Sequence, residues 1–300
     1  MLKEIIHGCY TAFGDCVTGF VSTYILRHQL ETLTKNKIKL SINWSYVKCP
    51  YVDPVHYNYN RISLRLRSTV NCLFSGEDGT LAFTRYYQNP KMYHDIVHKQ
   101  YLFLITNQYL GKCFTDLSRD KVKELTLEAY QYFWTVILDQ SKIKIPNEIK
   151  SFDFSDVLVA SIRAGDKYLI DKETLPSHVL DGYDLINSSE YSKVILLGDI
   201  DNKILKESFE QRSKKEVIMF DGDIAHSSCG NPTEQVWEKI FNDLYIMLHS
   251  KAIIMMNNDS NFIRIVLFMK SPDHHIYIID GGALKRVDDS STLFGKHYTF

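Results

Sequence analysis

The sequence predicts an α/β protein built from two Rossmann-like domains that face each other across a cleft. Three observations predict this fold class. The chain opens with a strand, a glycine-containing loop, a helix and a second strand; residues 151–300 alternate short apolar runs with helical stretches; and a polar segment around Pro146 separates the two regions. Alternating strands and helices are typical of parallel sheets covered by helices. We therefore predict an N-terminal domain over residues 1–150 and a C-terminal domain over residues 151–300.

The first elements of the chain form a βαβ unit. Lys3–His7 and Ile38–Trp44 read as strands, and the apolar spacing of Val17–Lys35 favours a helix between them. The loop that contains Gly14 would then lie at a helix N-terminus, where free N–H groups and the helix dipole favour an anion. An ordinary βα turn explains this loop equally well. We further predict a half-exposed strand over Arg61–Val70, a helix over about Lys91–Leu110, another over about Asp120–Gln140, and a linker over Ser141–Ser151.

The second half is more regular and predicts a doubly wound parallel sheet. The predicted strands are Val157–Ser161, Val194–Asp199, Glu216–Asp223, Ala252–Asp259 and His274–Asp280. The predicted helices follow Asp199 as far as about Lys215 and cover Glu234–Lys251 and Ser260–Lys270.

Composition excludes several classes of function. Lys and Arg total 35 against 36 Asp and Glu, which argues against nucleic-acid binding through a bulk electrostatic field but allows a local anion site. The six cysteines are scattered without CxxC or zinc-ligand spacing. We see no signal peptide and no apolar run approaching the ~18 residues of a membrane span. We expect a soluble cytoplasmic protein without a transmembrane segment, and we leave peripheral membrane association open.

Polar residues follow three of the predicted C-terminal strands, and those after the second are Asp199 and Asp201. Arg163, Asp166 and Lys167 follow the first, and Ser260 and Asn261 follow the fourth and open a helix. Ligands in open α/β sheets bind outside the carboxyl ends of the strands. A guanidinium and a helix N-terminus together suit a diphosphate, since both offer several N–H donors to phosphate oxygens.

Three carboxylates complete the candidate site. Asp171 or Glu173, after the arginine loop, could act as a general base toward a sugar hydroxyl. Asp243 has the spacing to reach back to a ribose or a base edge. Ordinary structural roles remain open for all these residues: a solvated turn for residues 163–167, a helix cap for Ser260, a solvated helix face for Asp243, and loop carboxylates for the other two.

The motifs of the second half resemble those of the fucosyltransferase superfamily that includes α1,2-, α1,6- and protein O-fucosyltransferases. The family's strand followed by H-x-R-x-(G/T)-D is similar to SIRAGDK here, with matches at Arg163, Asp166 and Lys167 and with Ser161 in place of the histidine. VILLGDIDNKILKESFE and NDLYIMLHSKAIIMMNNDSNFIRIVLFM are similar to two further family blocks. The resemblance covers about residues 155–270 well and residues 5–44 loosely, while residues 45–150 match no part of the family.

The resemblance implies a GT-B fold and an inverting, metal-independent glycosyltransferase that uses GDP-fucose in surface polysaccharide synthesis. It implies that Arg163 binds the β-phosphate and that Asp171 is the base. It implies a nucleoside contact for Asp243, phosphate contacts for Ser260 and Asn261, and a place for Gly14 in the family's opening glycine loop. The expected partners are a nucleotide sugar and a glycan acceptor, with no nucleic acid, no metal and no other cofactor. A transferase with another nucleotide-sugar donor, or a non-catalytic α/β binding module, remains the alternative.

Overall fold

The structure is a computed structural model of the chain. It describes residues 2–9, 12–44, 47–53, 70–74, 98, 100–107, 109–111, 114–162, 175, 177–220, 232–256, 261–270 and 273–287, with the backbone alone at 70–74, 105 and 178. Two compact units divide the chain: Met1–Lys142 together with Lys296–Phe300, and Ile143–Gly295. The division falls inside the segment predicted as a linker.

The first unit contains a four-stranded parallel sheet among its described residues, in the order β2-β1-β4-β3. Its strands are β1 (Glu4–Gly8), β2 (Lys39–Asn43), β3 (Val70–Phe74) and β4 (Tyr101–Ile105). Its helices are α1 (Phe13–Thr34) and α2 (Arg119–Tyr132), and a π-helical turn (Phe133–Ile137) and a 3₁₀ turn (Gln140–Lys142) follow α2.

The predicted βαβ unit is confirmed, because β1 and β2 pair in parallel on either side of α1. The prediction of a helix over Lys91–Leu110 is wrong for its described part. Tyr101–Ile105 is instead the strand β4, which lies between β1 and β3. YLFLI is a continuous apolar run, and such a run is typical of a strand buried on both faces of a parallel sheet. Residues 61–69 of the strand predicted over Arg61–Val70 lie outside the described residues.

The second unit contains a six-stranded sheet among its described residues, in the order β10-β9-β8-β5-β6-β7. Its strands are β5 (Val157–Ile162), β6 (Lys193–Gly198), β7 (Glu216–Ile218), β8 (Ala252–Met255), β9 (His275–Asp280) and β10 (Ala283–Val287). Its helices are α3 (Asn147–Lys150), α4 (Ser177–Ile186), α5 (Asn202–Glu210), α6 (Glu234–His249) and α7 (Asn261–Met269).

The doubly wound sheet is confirmed, with parallel pairing from β7 to β9. Sequence patterning missed α4 and β10. β10 pairs antiparallel to β9 through a turn at Gly281 and Gly282, whose φ values of 57° and 77° are those of a type I′ hairpin. One face of the sheet buries Leu158, Ala160 and Ile162 against apolar residues of α4 and α5. Within the described part of the chain, no helix is both long and apolar enough to cross a membrane.

Candidate functional site

The second sheet reverses its strand order between β5 and β8. From β5 the chain proceeds to β6 and β7 on one side, and it then returns to place β8 and β9 on the other side. The carboxyl ends of β5 and β8 therefore flank a topological switch point, which is where open α/β sheets bind their ligands.

Backbone pairing holds these two strand ends together. Ser161 is the register partner of Met255, and the N–H of Met256 donates to the carbonyl of Ser161 at 3.1 Å. Ile162 and Met256, the last described residues before the two loops, are 3% and 5% exposed. The two segments of the sequence that follow, residues 163–174 and residues 257–260, thus start from neighbouring, buried positions.

Several predicted site residues lie outside the described residues. These are Arg163, Asp166, Lys167, Asp171 and Ser260, together with Glu173. Their assignments remain predictions. The described structure brings together the ends of the elements to which these residues are attached.

Gly198 places the end of a third strand, β6, at the same carboxyl edge of the sheet as the end of β5. It is the register partner of Ile162 at the end of β6. A Cβ atom at Gly198 would lie 3.0 Å from Cδ1 of Leu205 and 3.2 Å from the carbonyl oxygen of Ile162. Glycine therefore permits both α5 and the end of β5 to approach the end of β6 closely.

Among the residues predicted to bind phosphate, Asn261 is described by the structure. It is the first residue of α7. Its side-chain oxygen accepts a short hydrogen bond from Nη1 of Arg264 in the same helical turn. Arg264 is only 4% exposed, so a guanidinium is buried at the N-terminal end of α7. Sequence analysis missed Arg264. The signal was available as one cationic residue inside the apolar run FIRIVLF.

Asp243 is not on a solvated helix face, which was the structural alternative for this residue. It is 9% exposed, and both carboxylate oxygens accept hydrogen bonds from Nζ of Lys239 at 2.9 Å. Burial raises the pKa of the Asp243 carboxyl, and the charge of Lys239 opposes that rise. Lys239, which is 5% exposed, was also missed, although the i,i+4 spacing of the two residues on α6 indicates the pair. The predicted nucleoside contact of Asp243 remains a prediction.

Gly14 is the second residue of α1, so it lies in the first helical turn and not in the loop where it was predicted. The N-cap residue Ala12 makes no side-chain cap, and the Gly14 carbonyl accepts a hydrogen bond from Oγ1 of Thr18 at 2.9 Å. A first-turn residue has a backbone N–H without an intrahelical partner, so the position suits the predicted anion site.

His7 is fully buried beneath this helix. Its Nδ1 accepts from Nε1 of Trp44 at 3.0 Å, so the ring proton lies on Nε2, which donates to the Thr106 carbonyl at 2.9 Å. Burial lowers the pKa of His7 to about 4. Gly19 of α1 lies directly against the hydrogen bond between His7 and Thr106. A Cβ atom at position 19 would lie 2.0 Å from the Thr106 oxygen, so the close approach of α1 requires glycine. His7 is thus a neutral, structural histidine that ties β1, β2 and the segment after β4 together.

No group of three or more histidine, cysteine or carboxylate side chains forms a potential metal site within the described ranges.

The fold matches those of solved fucosyltransferases. NodZ, an α-1,6-fucosyltransferase of Bradyrhizobium crystallised with GDP, is 16% identical, with 96% of this chain and 99% of NodZ covered and a TM-score of 0.57. NodZ soaked with GDP-fucose is 15% identical, with 96% and 100% covered and a TM-score of 0.53. A mutant of Arabidopsis thaliana FUT1 in complex with GDP is 10% identical, with 95% and 74% covered and a TM-score of 0.56.

These likenesses confirm the predicted GT-B-like α/β fold class and agree, at the level of fold, with the resemblance found in the sequence motifs. No family model matches the chain, and no curated protein matches it.

Proposed function

We propose that the protein is an inverting, metal-independent glycosyltransferase that transfers fucose from GDP-fucose to a glycan hydroxyl. In this proposal the second unit binds the donor and the enzyme works in the cytoplasm, building surface polysaccharide. The glycan acceptor and the nucleotide sugar are its partners.

One observation carries the proposal: the motif loops after β5 and before α7 are attached to the two strands that flank the switch point. Arg163 follows β5 directly in the sequence, and Ser260 directly precedes α7. The fold relationship to NodZ and FUT1, which were crystallised with GDP or soaked with GDP-fucose, supports a guanosine nucleotide as the ligand.

The proposed chemistry needs negative charge stabilised on the departing diphosphate. Arg163 and Lys167 supply positive charge, and Ser260, Asn261 and the N-terminal end of α7 supply hydrogen-bond donors. Arg264 orients the Asn261 amide through their hydrogen bond, in which the side-chain oxygen of Asn261 is the acceptor. Asp171 removes the proton of the acceptor hydroxyl. The hydrogen-bond donors at the N-terminal end of α7 are already in position, so they stabilise the negative charge that develops on the diphosphate without reorganisation.

A thermal-unfolding assay with GDP, UDP, ADP and CMP tests the donor class. A ligand present at 100 times its Kd stabilises the folded state by about 2.7 kcal/mol. We expect GDP to raise the melting temperature and the other nucleotides to leave it unchanged. GDP release from GDP-fucose with a glycan acceptor, measured with and without EDTA, then tests transfer and metal independence.

The same panel separates the alternatives. Stabilisation by UDP or ADP instead of GDP would favour a transferase with another donor. Absence of stabilisation by any nucleotide would favour a non-catalytic binding module and would contradict the proposal.

A further inference from the structure

Helix α7 is buried over most of its length, and Arg264 is the charged residue within it. The five consecutive residues 263–267 are each 4% exposed or less, so packed groups surround the helix at this level. Arg264 is 4% exposed, and the other four residues of this stretch are aliphatic. A guanidinium is therefore held in surroundings that favour apolar side chains, where a buried charge lowers stability unless polar groups compensate it.

The position of Arg264 along α7 adds to this cost. The helix begins at Asn261, so Arg264 lies at the end of its first turn. The first turn is the positive end of the helix dipole, where a cation is destabilising and an anion is stabilising. The charge of Arg264 and the helix dipole thus add to one positive potential at this end of α7, and that potential favours an anionic ligand over a neutral one.

A hydrogen bond connects Arg264 to the first residue of the helix. Its Nη1 atom donates to the side-chain oxygen of Asn261. The guanidinium is buried and has little room to move, so the oxygen end of the Asn261 amide is held in one place. The planar fork of arginine fixes such a geometry better than the single ammonium of lysine does.

We propose that Arg264 is a positioning residue of the diphosphate site, which holds Asn261 and adds buried positive charge to the N-terminal end of α7 without touching the ligand. The inference rests on the proposed function, in which this end of α7 binds the diphosphate of GDP-fucose. It deepens that function, because Arg264 makes binding depend on the negative charge of the ligand. The site should therefore prefer a nucleoside diphosphate to the monophosphate, and the monophosphate to the free nucleoside.

Isothermal titration with guanosine, GMP and GDP tests the inference. R264M removes the charge and leaves an unbranched apolar side chain that adapts to a packed interior. We expect R264M to weaken GDP binding at least tenfold, to weaken GMP binding less, and to leave guanosine binding unchanged, because the charge acts on the phosphate groups alone. R212M is the matched control. Arg212 forms a half-exposed ion pair with Asp184 at 2.9 Å, and its loss should change none of the three affinities.

Two further variants separate position from charge. R264K keeps the charge but lacks the planar fork, so GDP binding should weaken less than in R264M. In the double variant N261A, R264M, the loss of GDP affinity should be at least threefold smaller than the product of the two single losses, because both substitutions remove the same hydrogen bond.

The outcomes that contradict the inference are distinct. Circular dichroism and the melting temperature establish which variants are folded. Unchanged GDP affinity in folded R264M would overturn the inference, and so would an equal loss of guanosine and GDP affinity, which indicates general damage to the site. If R264M does not fold, R264K decides by the same comparison. Absence of GDP binding by the wild type is a separate result, which would overturn the proposed function and with it this inference.

Discussion

The backbone N–H of Met256 donates a hydrogen bond to the carbonyl of Ser161 at 3.1 Å. This bond extends the pairing of β5 and β8 by one residue beyond the last register pair. The segments that follow β5 and β8 lie far apart in the sequence but therefore start from adjacent, buried strand ends. If the proposed diphosphate site is correct, residues on both loops contribute to one ligand.

Arg163→Ala tests the first loop. We expect turnover to fall at least ~10²-fold, because removal of one donor that acts on a developing negative charge has an effect of that size. Arg212→Ala is a matched control, since Arg212, in the turn after α5, forms a half-exposed ion pair with Asp184 of α4 at 2.9 Å in the same unit. Initial rates of GDP release measure both variants. Near-normal turnover of Arg163→Ala would remove the assignment.

Asp171→Asn tests the base. We expect it to abolish transfer while GDP still stabilises the protein, because the substitution removes a proton acceptor and leaves the phosphate site intact. The readouts are transfer of labelled fucose and the GDP-dependent shift in melting temperature. If activity stays close to that of the wild type, Glu173, replaced in the same way, becomes the candidate base.

The strand pattern made much of the fold predictable. β1, β5, β6 and β8 are short, largely apolar runs that end in glycine or lead into polar residues, and the structure places each in parallel pairing with its neighbours. β4 was predicted wrongly because YLFLI carries no alternation, and a short apolar run without alternation does not distinguish a buried strand from a buried helix. Strand order could not be predicted, because it depends on long-range pairing that no local pattern records.

The candidate site was predictable only in part. The loops flanking the switch point could be chosen because motif residues and strand ends coincide in the sequence. Arg264 and Lys239 were missed because a single cation on a helix resembles an ordinary surface charge, although the apolar run around Arg264 and the i,i+4 spacing of Lys239 and Asp243 were signals in the sequence. Arg264 and Lys239 are only 4% and 5% exposed because α6 and α7 pack within the second unit. The spacing of residues along a helix shows that an i,i+4 pair can form, but it does not show whether tertiary packing buries that pair.

Substitutions at the buried pair of Lys239 and Asp243 can distinguish a structural role of Asp243 from a contact with the nucleoside. Asp243→Leu alone leaves a buried ammonium without its carboxylate and should cost about 3–5 kcal/mol of unfolding free energy. The double variant Lys239→Met, Asp243→Leu should recover most of that stability, because both charges are gone. Urea unfolding measures these differences.

Nucleotide affinity then decides the role of Asp243. If the carboxylate contacts the nucleoside, as we expect, the stable double variant binds GDP at least tenfold more weakly than the wild type in isothermal titration. An unchanged GDP affinity in a folded double variant would leave Asp243 with a structural role alone.

His7 should make the stability of the protein depend on pH between about 6.5 and 4. Burial lowers the pKa of His7 from 6.5 to about 4, so within this window the unfolded chain takes up a proton that the folded protein does not. Stability is complete above pH 6.5 and is lost as the pH falls toward 4, by about 3 kcal/mol for this one group. His7→Gln keeps a donor for the Thr106 carbonyl and an acceptor for Trp44 but does not titrate. Urea unfolding at pH 7.5 and pH 4.5 should therefore show a smaller loss of stability in His7→Gln than in the wild type, because the contributions of all other groups cancel in the difference. The same loss in both proteins would mean that His7 is protonated in the folded state, and the hydrogen bond from Trp44 to Nδ1 would then be assigned wrongly.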